Sequence, residues 1–131
     1  MAAARAVKQF LTFAGGTPLQ HAAAAALGLP RSELDMIRED LQVRRDQLCV
    51  GLEEAGLRPF TPAGTYFVNA DVGVDAVEFC RALPARCGVV AIPTGVFYDD
   101  REAAPTLVRF AFCKRSEVIA EAAERRARYR E

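Results

Sequence analysis

The chain has 131 residues, with seventeen Lys plus Arg balanced by seventeen Asp plus Glu, and 51% of it is hydrophobic. That is one domain's worth of chain with enough apolar surface to offset the entropy of ordering, which excludes a disordered polypeptide. Zero net charge excludes the clustered basic excess of a general nucleic-acid binder and an electrostatically held membrane-surface protein. The longest apolar run, residues 22–29, is mostly alanine and far short of the roughly 20 residues that span a bilayer. Residues 1–8 carry two cations but no apolar signal-peptide core behind them, so the expected location is cytoplasmic.

In chain order, residues 3–13 read as a short helix with Ala6, Val7, Phe10 and Leu11 on one side, broken by Gly15, Gly16 and Pro18. A second helix over about 18–28 is nearly all alanine, with Leu19 and Leu27 its large apolar groups. So small a helix must pack closely on something, and this chain offers little for it. Pro30 and Ser32 open a long helix, Ser32 as cap with Asp35 three positions on. Leu34, Ile37, Leu41, Leu48, Leu52 and Ala55 form its apolar stripe, and Gly56 ends it. Residues 57–60 read as an edge strand because of Pro59, and 65–68 as a strand after the turn Pro62-Ala63-Gly64. A helix over about 75–86 carries Val77, Phe79 or Cys80, and Leu83 inward, with Pro84 near its end. Residues 89–92 form an apolar strand stopped by Pro93, residues 94–105 a loop, and 107–112 another strand. The last helix starts at Ser116 and pairs Glu121 with Arg125 and Glu124 with Arg128. The expected class is α+β: a small mixed β-sheet covered by helices.

The strand Leu107-Val108-Arg109-Phe110-Ala111-Phe112 puts Val108, Phe110 and Phe112 on one face and Leu107, Arg109 and Ala111 on the other. From the residues alone, Arg109 is either exposed, paired with Asp99 or Asp100, or a two-pronged donor for a carboxylate. His21, the one histidine, has no second ligand at metal spacing, and no metal is expected. Cys49, Cys80, Cys87 and Cys113 are spread too widely for a zinc site or a dithiol and read as buried free thiols. A Cys–His nucleophile would need one of them to be unusually reactive. Gly15-Gly16-Thr17 is a weak fragment of a phosphate loop that serves equally as a helix-to-helix turn, and Gly64-Thr65-Tyr66-Phe67 is ordinary turn chemistry.

Together these segments resemble a known family. Residues 7–13 with Gly16-Thr17-Pro18, then Pro62-Ala63-Gly64-Thr65-Tyr66-Phe67, residues 88–98 and residues 107–114 follow the order and spacing of the C-terminal part of class I/II aminotransferases. The likeness covers essentially the whole chain and favours the kynurenine, glutamine, methionine and succinyldiaminopimelate branch. It implies the small C-terminal domain of the aspartate-aminotransferase fold over 29–131. Residues 1–28 would be a helical remnant of the large domain with a dimer-interface loop, Ala14, Gly15, Gly16 and Thr17. It also implies a pyridoxal-phosphate enzyme, a homodimer, that moves an amino group between an amino acid and a 2-oxo acid. By the same resemblance Arg109 grips the substrate carboxylate, Gly64, Thr65 and Tyr66 line the substrate entrance, and Phe97 and Tyr98 form a second wall.

Two departures stand out. Relatives carry Pro-x-Ser or Pro-Gly-Ser where this chain has Pro93-Thr94-Gly95. The family's Schiff-base lysine sits in a Ser-x-Ser-Lys type motif that this sequence lacks; Lys8 and Lys114 match other, non-catalytic positions. Since the cofactor's chemistry requires that lysine, the expectation is a C-terminal third of an aminotransferase, inactive alone and with no catalytic residue or cofactor of its own. The alternative is a stand-alone α+β module that binds an amino acid or a protein without catalysis.

Overall fold

The computed structural model describes residues 2–11 and 15–128. By their internal contacts they form two compact units, Met1–Ile37 and Arg38–Glu131. The first holds helices α1, Ala2–Leu11, and α2, Thr17–Leu27, and the opening turns of α3, Arg31–Glu54. Neither α1 nor α2 has a buried residue, and Phe10, Leu11, Leu19 and Leu27 are all largely exposed. Pro18 lies in the first turn of α2, where its missing N–H costs nothing. Helix α3 begins at Arg31, so Ser32 falls inside the first turn rather than capping it.

In the second unit α3 buries Leu48, Cys49, Gly51 and Leu52. It closes as expected: Gly56 has φ +81°, Leu57 N–H donates to Leu52 O at 2.9 Å and Gly56 N–H to Glu53 O at 2.9 Å. Four strands follow: β1, Arg58–Phe60; β2, Phe67–Asp71; β3, Ile92–Pro93; and β4, Leu107–Ala111. Their order is β1-β2-β4-β3, and every neighbouring pair is antiparallel. The α+β class holds, but the sheet is antiparallel throughout where the sequence led us to expect a mixed one. Strands β2 and β3, joined through helix α4 (Ala76–Cys87), do run the same way, but β4 lies between them and no parallel ladder forms.

Two strands are displaced from their expected limits for local reasons. The ladder of β2 starts at Phe67 because Thr65 sits at φ +67°, a left-handed conformation that breaks the extended chain. β3 is only two residues long; Val89 and Ala91 pack against the core instead of pairing. Helix α4 is capped by Asp75, whose Oδ1 accepts Glu78 N–H at 2.8 Å, and it buries Ala76, Leu83 and Cys87. Val77, expected inward, is 41% exposed, because the buried face begins one residue earlier, at Ala76.

One face of the sheet, Val68, Ala70, Val108 and Phe110, continues into Phe112 and meets Leu48, Leu52, Leu83 and Ile119 of the helices. The last of these lies on α5, Ser116–Ala127, which carries the expected Arg125–Glu121 and Arg128–Glu124 pairs. Helices α3 and α5 approach so closely that a Cβ on Gly51 would lie 2.5 Å from Ala123 Cβ. Helices cover this one face, and the opposite face carries Phe67, Asn69, Asp71, Leu107 and Arg109, all half-buried. Of the four cysteines, Cys113 is exposed, against expectation, because it lies just past β4, on the opposite side from the buried Phe112. Among the described residues no helix is long and apolar enough to cross a membrane.

Candidate functional site

Antiparallel pairing sets Asn69 opposite Arg109, and β3 sets Ile92 opposite Arg109 from the other side. Arg109 thus stands at the centre of the face the helices leave uncovered. The chain then turns directly from β3 into a 3-10 turn, Thr94–Phe97, whose first residue meets Asn69 and whose last meets the arginine. The guanidinium carbon lies 3.9 Å from the centre of the Phe97 ring and 4.0 Å from that of Phe67. Both distances are within cation–π range, and a planar guanidinium stacks where an ammonium would not.

The arginine's Nε donates to Asn69 Oδ1 at 3.5 Å, and Thr94 Oγ1 donates to the same oxygen at 3.3 Å. Thr94 is the buried polar residue of the core, 1% exposed. Among the described residues, no carboxylate pairs with Arg109. Asp100, one of its two candidate partners, instead accepts Glu102 N–H at 3.0 Å, capping the short 3-10 turn Arg101–Ala103. The pairing reading is thereby corrected: aromatic rings and an amide hold Arg109, and its remaining N–H donors have no acid to meet.

The expected site residues divide accordingly. Phe97 touches Arg109 directly. Tyr66 is one step removed, its ring edge-on to Phe67 at 5.7 Å and 87°, while its backbone carbonyl accepts Phe112 N–H at 2.9 Å. Thr65 holds the turn before them, with Oγ1 3.4 Å from Phe67 N. Gly64 and Tyr98 are exposed, and no ring contact joins Tyr98 to Arg109 among the described residues. Gly15, Gly16 and Thr17 belong to the other unit, where they start α2, and Ala14 lies outside the described residues. Phe67, Asn69 and Thr94 were missed. The signal was present: Phe67 and Asn69 alternate with the buried Val68 and Ala70, which puts them on Arg109's side of the sheet.

Around this cluster the electrostatics are mild. The Gly73 N–H, then the Thr106 hydroxyl, hold the Asp71 carboxyl below the ordinary aspartate range, with Arg58 4.0 Å away adding to it. Burial pushes the Cys80 thiol up to about 11 and raises Cys49 as well, despite the Thr61 hydroxyl beside it. Raised thiols are poor nucleophiles at neutral pH, which counts against Cys49 and Cys80 in a Cys–His reaction centre. His21 is exposed on α2, and no His, Cys, Asp or Glu cluster among the described residues could hold a metal.

The sequence pattern of the family described as aminotransferase class I and II matches residues 1–125. A probable N-succinyldiaminopimelate aminotransferase of Mycobacterium tuberculosis is 41% identical over 95% of this chain and 34% of its own length. A methionine aminotransferase of Escherichia coli is 36% identical over 92% of this chain and 32% of its own. Among solved structures, the N-succinyldiaminopimelate aminotransferase from Mycobacterium tuberculosis superposes with a TM-score of 0.84 at 43% identity, covering 96% of this chain and 34% of that one. The chain therefore spans about a third of the length of the curated relatives it matches. With a family pattern that runs from α1 into α5 and a likeness to a solved member over 96% of the chain, the chain belongs to the class I and II aminotransferases.

Proposed function

We propose that this chain is the part of an aminotransferase that grips the substrate's carboxylate, and that Arg109 is the residue that does so. The observation that carries the reading is a half-buried guanidinium, stacked on Phe67 and Phe97, with no acid beside it among the described residues. A carboxylate of an amino acid or 2-oxo acid completes such a site with charge-assisted bonds, in the family's exchange of an amino group between the two. Tyr66, Thr65 and Gly64 then stand at the mouth, and Phe97 and Tyr98 form the opposite wall.

Full-length members of the family work with pyridoxal phosphate, and the residues here do not build a seat for it. A seat needs an amine that condenses with the cofactor's aldehyde, and donors for its phosphate. The chain's two lysines are Lys8, in the Met1–Ile37 unit, and Lys114, in the exposed turn beyond β4. We therefore read the chain as inactive by itself, with its catalytic lysine supplied by the remainder of a longer protein. The exposed Phe10, Leu11, Leu19 and Leu27 support the same reading, since monomers rarely leave such apolar helices uncovered. A homodimer, and a cytoplasmic location, belong to this proposal too.

The test is transamination by this chain completed with the remaining two thirds of the mycobacterial relative. Losing one partner of a bidentate ion pair costs a few kcal/mol, and about 1.4 kcal/mol is tenfold. Arg109→Ala should lower kcat/KM by on the order of a hundredfold or more. Arg109→Lys should recover little, with thermal melting nearly unchanged in both. Activity within a few-fold of the parent, or lost only together with the fold, assigns Arg109 a structural role. A non-catalytic binding module predicts no turnover in the completed protein at all.

A further inference from the structure

Stacking on two rings fixes the plane of a guanidinium but not which of its edges points outward, because a ring face has no preferred in-plane direction. That choice is made by a directional bond, and Arg109 has one: Nε to Asn69 Oδ1 at 3.5 Å. Arginine can only donate, so Asn69 must present its oxygen and not its amide nitrogen to Arg109. Thr94 Oγ1, 3.3 Å from that oxygen, must then donate as well. Because Thr94 is 1% exposed, its hydroxyl has no water to turn to, and the donor arrangement is fixed. The hydroxyl thus selects the orientation of the amide, and the amide selects the orientation of the guanidinium.

We propose that Asn69 and Thr94 are positioning residues for Arg109: by occupying Nε they leave the Nη1–Nη2 edge as the fork a carboxylate meets end-on. The inference rests on the carboxylate-anchor reading above and adds to it a geometry and two residues. A side-on approach through Nε and one Nη is closed while Asn69 holds Nε. The 3-10 turn is then a two-ended clamp, with the Thr94 hydroxyl at its start and the Phe97 ring at its end.

The experiment uses the completed enzyme and three near-isosteric changes: Thr94→Val, Thr94→Ser and Asn69→Leu. A hydrogen bond to a charged group is worth a factor of about ten or more, less for a long one or one acting through an intermediary. Asn69→Leu should raise KM for both amino-acid and 2-oxo-acid substrates about tenfold, and Thr94→Val about three- to fivefold, with kcat changed less. Thr94→Ser should restore the wild-type KM. Each effect should vanish in an Arg109→Ala background, since there is no guanidinium left to orient. Full and undiminished effects of Thr94→Val in that background, or no rescue by serine, would overturn the proposal. So would wild-type KM values in Thr94→Val and Asn69→Leu where Arg109→Ala itself is crippled, an outcome that leaves the anchor role intact.

A second measurement needs no turnover. In the full 131-residue chain carrying nitrogen-15 arginine, the Nε–H signal that disappears in Arg109→Lys should exchange slowly with water and quicken in Thr94→Val. Equal exchange in the two proteins overturns the proposal independently of any activity.

Discussion

Replacing Gly51 by alanine tests the tightest packing in the molecule. The added Cβ would stand 2.5 Å from Ala123 Cβ and 3.7 Å from Ala123 Cα. Carbon atoms pack best at about 3.5–4.0 Å, so the two helices would have to part by about 1 Å. Neither alanine has a rotamer with which to escape. Separation is further resisted by Gln47 Nε2 donating to Ser116 O at 3.1 Å and Arg44 Nη1 donating to Lys114 O at 2.9 Å. Overpacking costs about 1–3 kcal/mol, and a clash of about 1 Å that no rotamer can relieve falls in the upper part of that range, about 2–3 kcal/mol. The better helix propensity of alanine returns about 1 kcal/mol of it. A net loss of about 1–2 kcal/mol follows, which lowers Tm by about 5–10 °C in a domain near 100 residues. Circular dichroism melting and urea unfolding of wild type, Gly51→Ala and the Gly51→Ala/Ala123→Gly pair measure it. The pair should recover most of what the clash alone removes. If Gly51→Ala melts at or above wild type, the helices are not in the contact described and the reasoning fails.

Acid stability depends on Asp71, whose folded-state pKa is depressed by Gly73 N–H and the Thr106 hydroxyl. Its stabilisation is present above the unfolded value of about 3.9 and lost as pH falls through the lower folded value. Unfolding free energy of Asp71→Asn should therefore lie below wild type at pH 6 and converge with it as pH falls through the lowered folded value, and parallel curves would refute this. Iodoacetamide at pH 7 should label Cys113 first, read by peptide mass spectrometry, because it alone is exposed and Cys80 is pushed up to about 11. Equal labelling of Cys80 and Cys113 in the native protein would contradict the burial described. At position 65 the left-handed backbone costs an L-residue about 1 kcal/mol, so Thr65→Gly should be stability-neutral within about 0.5 kcal/mol. Thr65→Val, which keeps the strain and loses the hydroxyl near Phe67 N, should melt several degrees lower; a glycine variant worse than the valine one would show that no strain is present.

The alternation Val108–Phe110–Phe112 against Leu107–Arg109–Ala111 was legible because a strand's period of two is strict, and it correctly put Arg109 on the face away from the core. The Gly56 helix stop was legible for a similar reason: one residue type suits one backbone geometry. What the residues alone did not disclose was long-range. Nothing local in Thr94 marks it as Asn69's partner, because 25 positions separate them and only the β2-β4-β3 order unites them. The antiparallel sheet escaped for the same reason, since strand order is a property of the whole chain. Val77 was assigned inward by its hydrophobicity, whereas the helix turns the smaller Ala76 to the core, a phase that hydrophobicity alone does not set.

The placement of β4 between β2 and β3 has a consequence for synthesis. A ribosome delivers β1 and β2 first, and these can pair at once as neighbours in sequence and in the sheet. β3 emerges next with no partner, because its only neighbour is the strand still to come. Until Phe112 has left the exit tunnel, Ile92 and Pro93 have no strand beside them and Val89 and Ala91 lack the core they pack against, so apolar surface stays open to other chains. Insertion of the last strand is thus the event that closes the sheet, buries Val108 and Phe110, and delivers Arg109 to its rings. A nascent chain stalled anywhere before β4 holds half a sheet and no site, so chaperone engagement should peak in that window and collapse once α5 is complete.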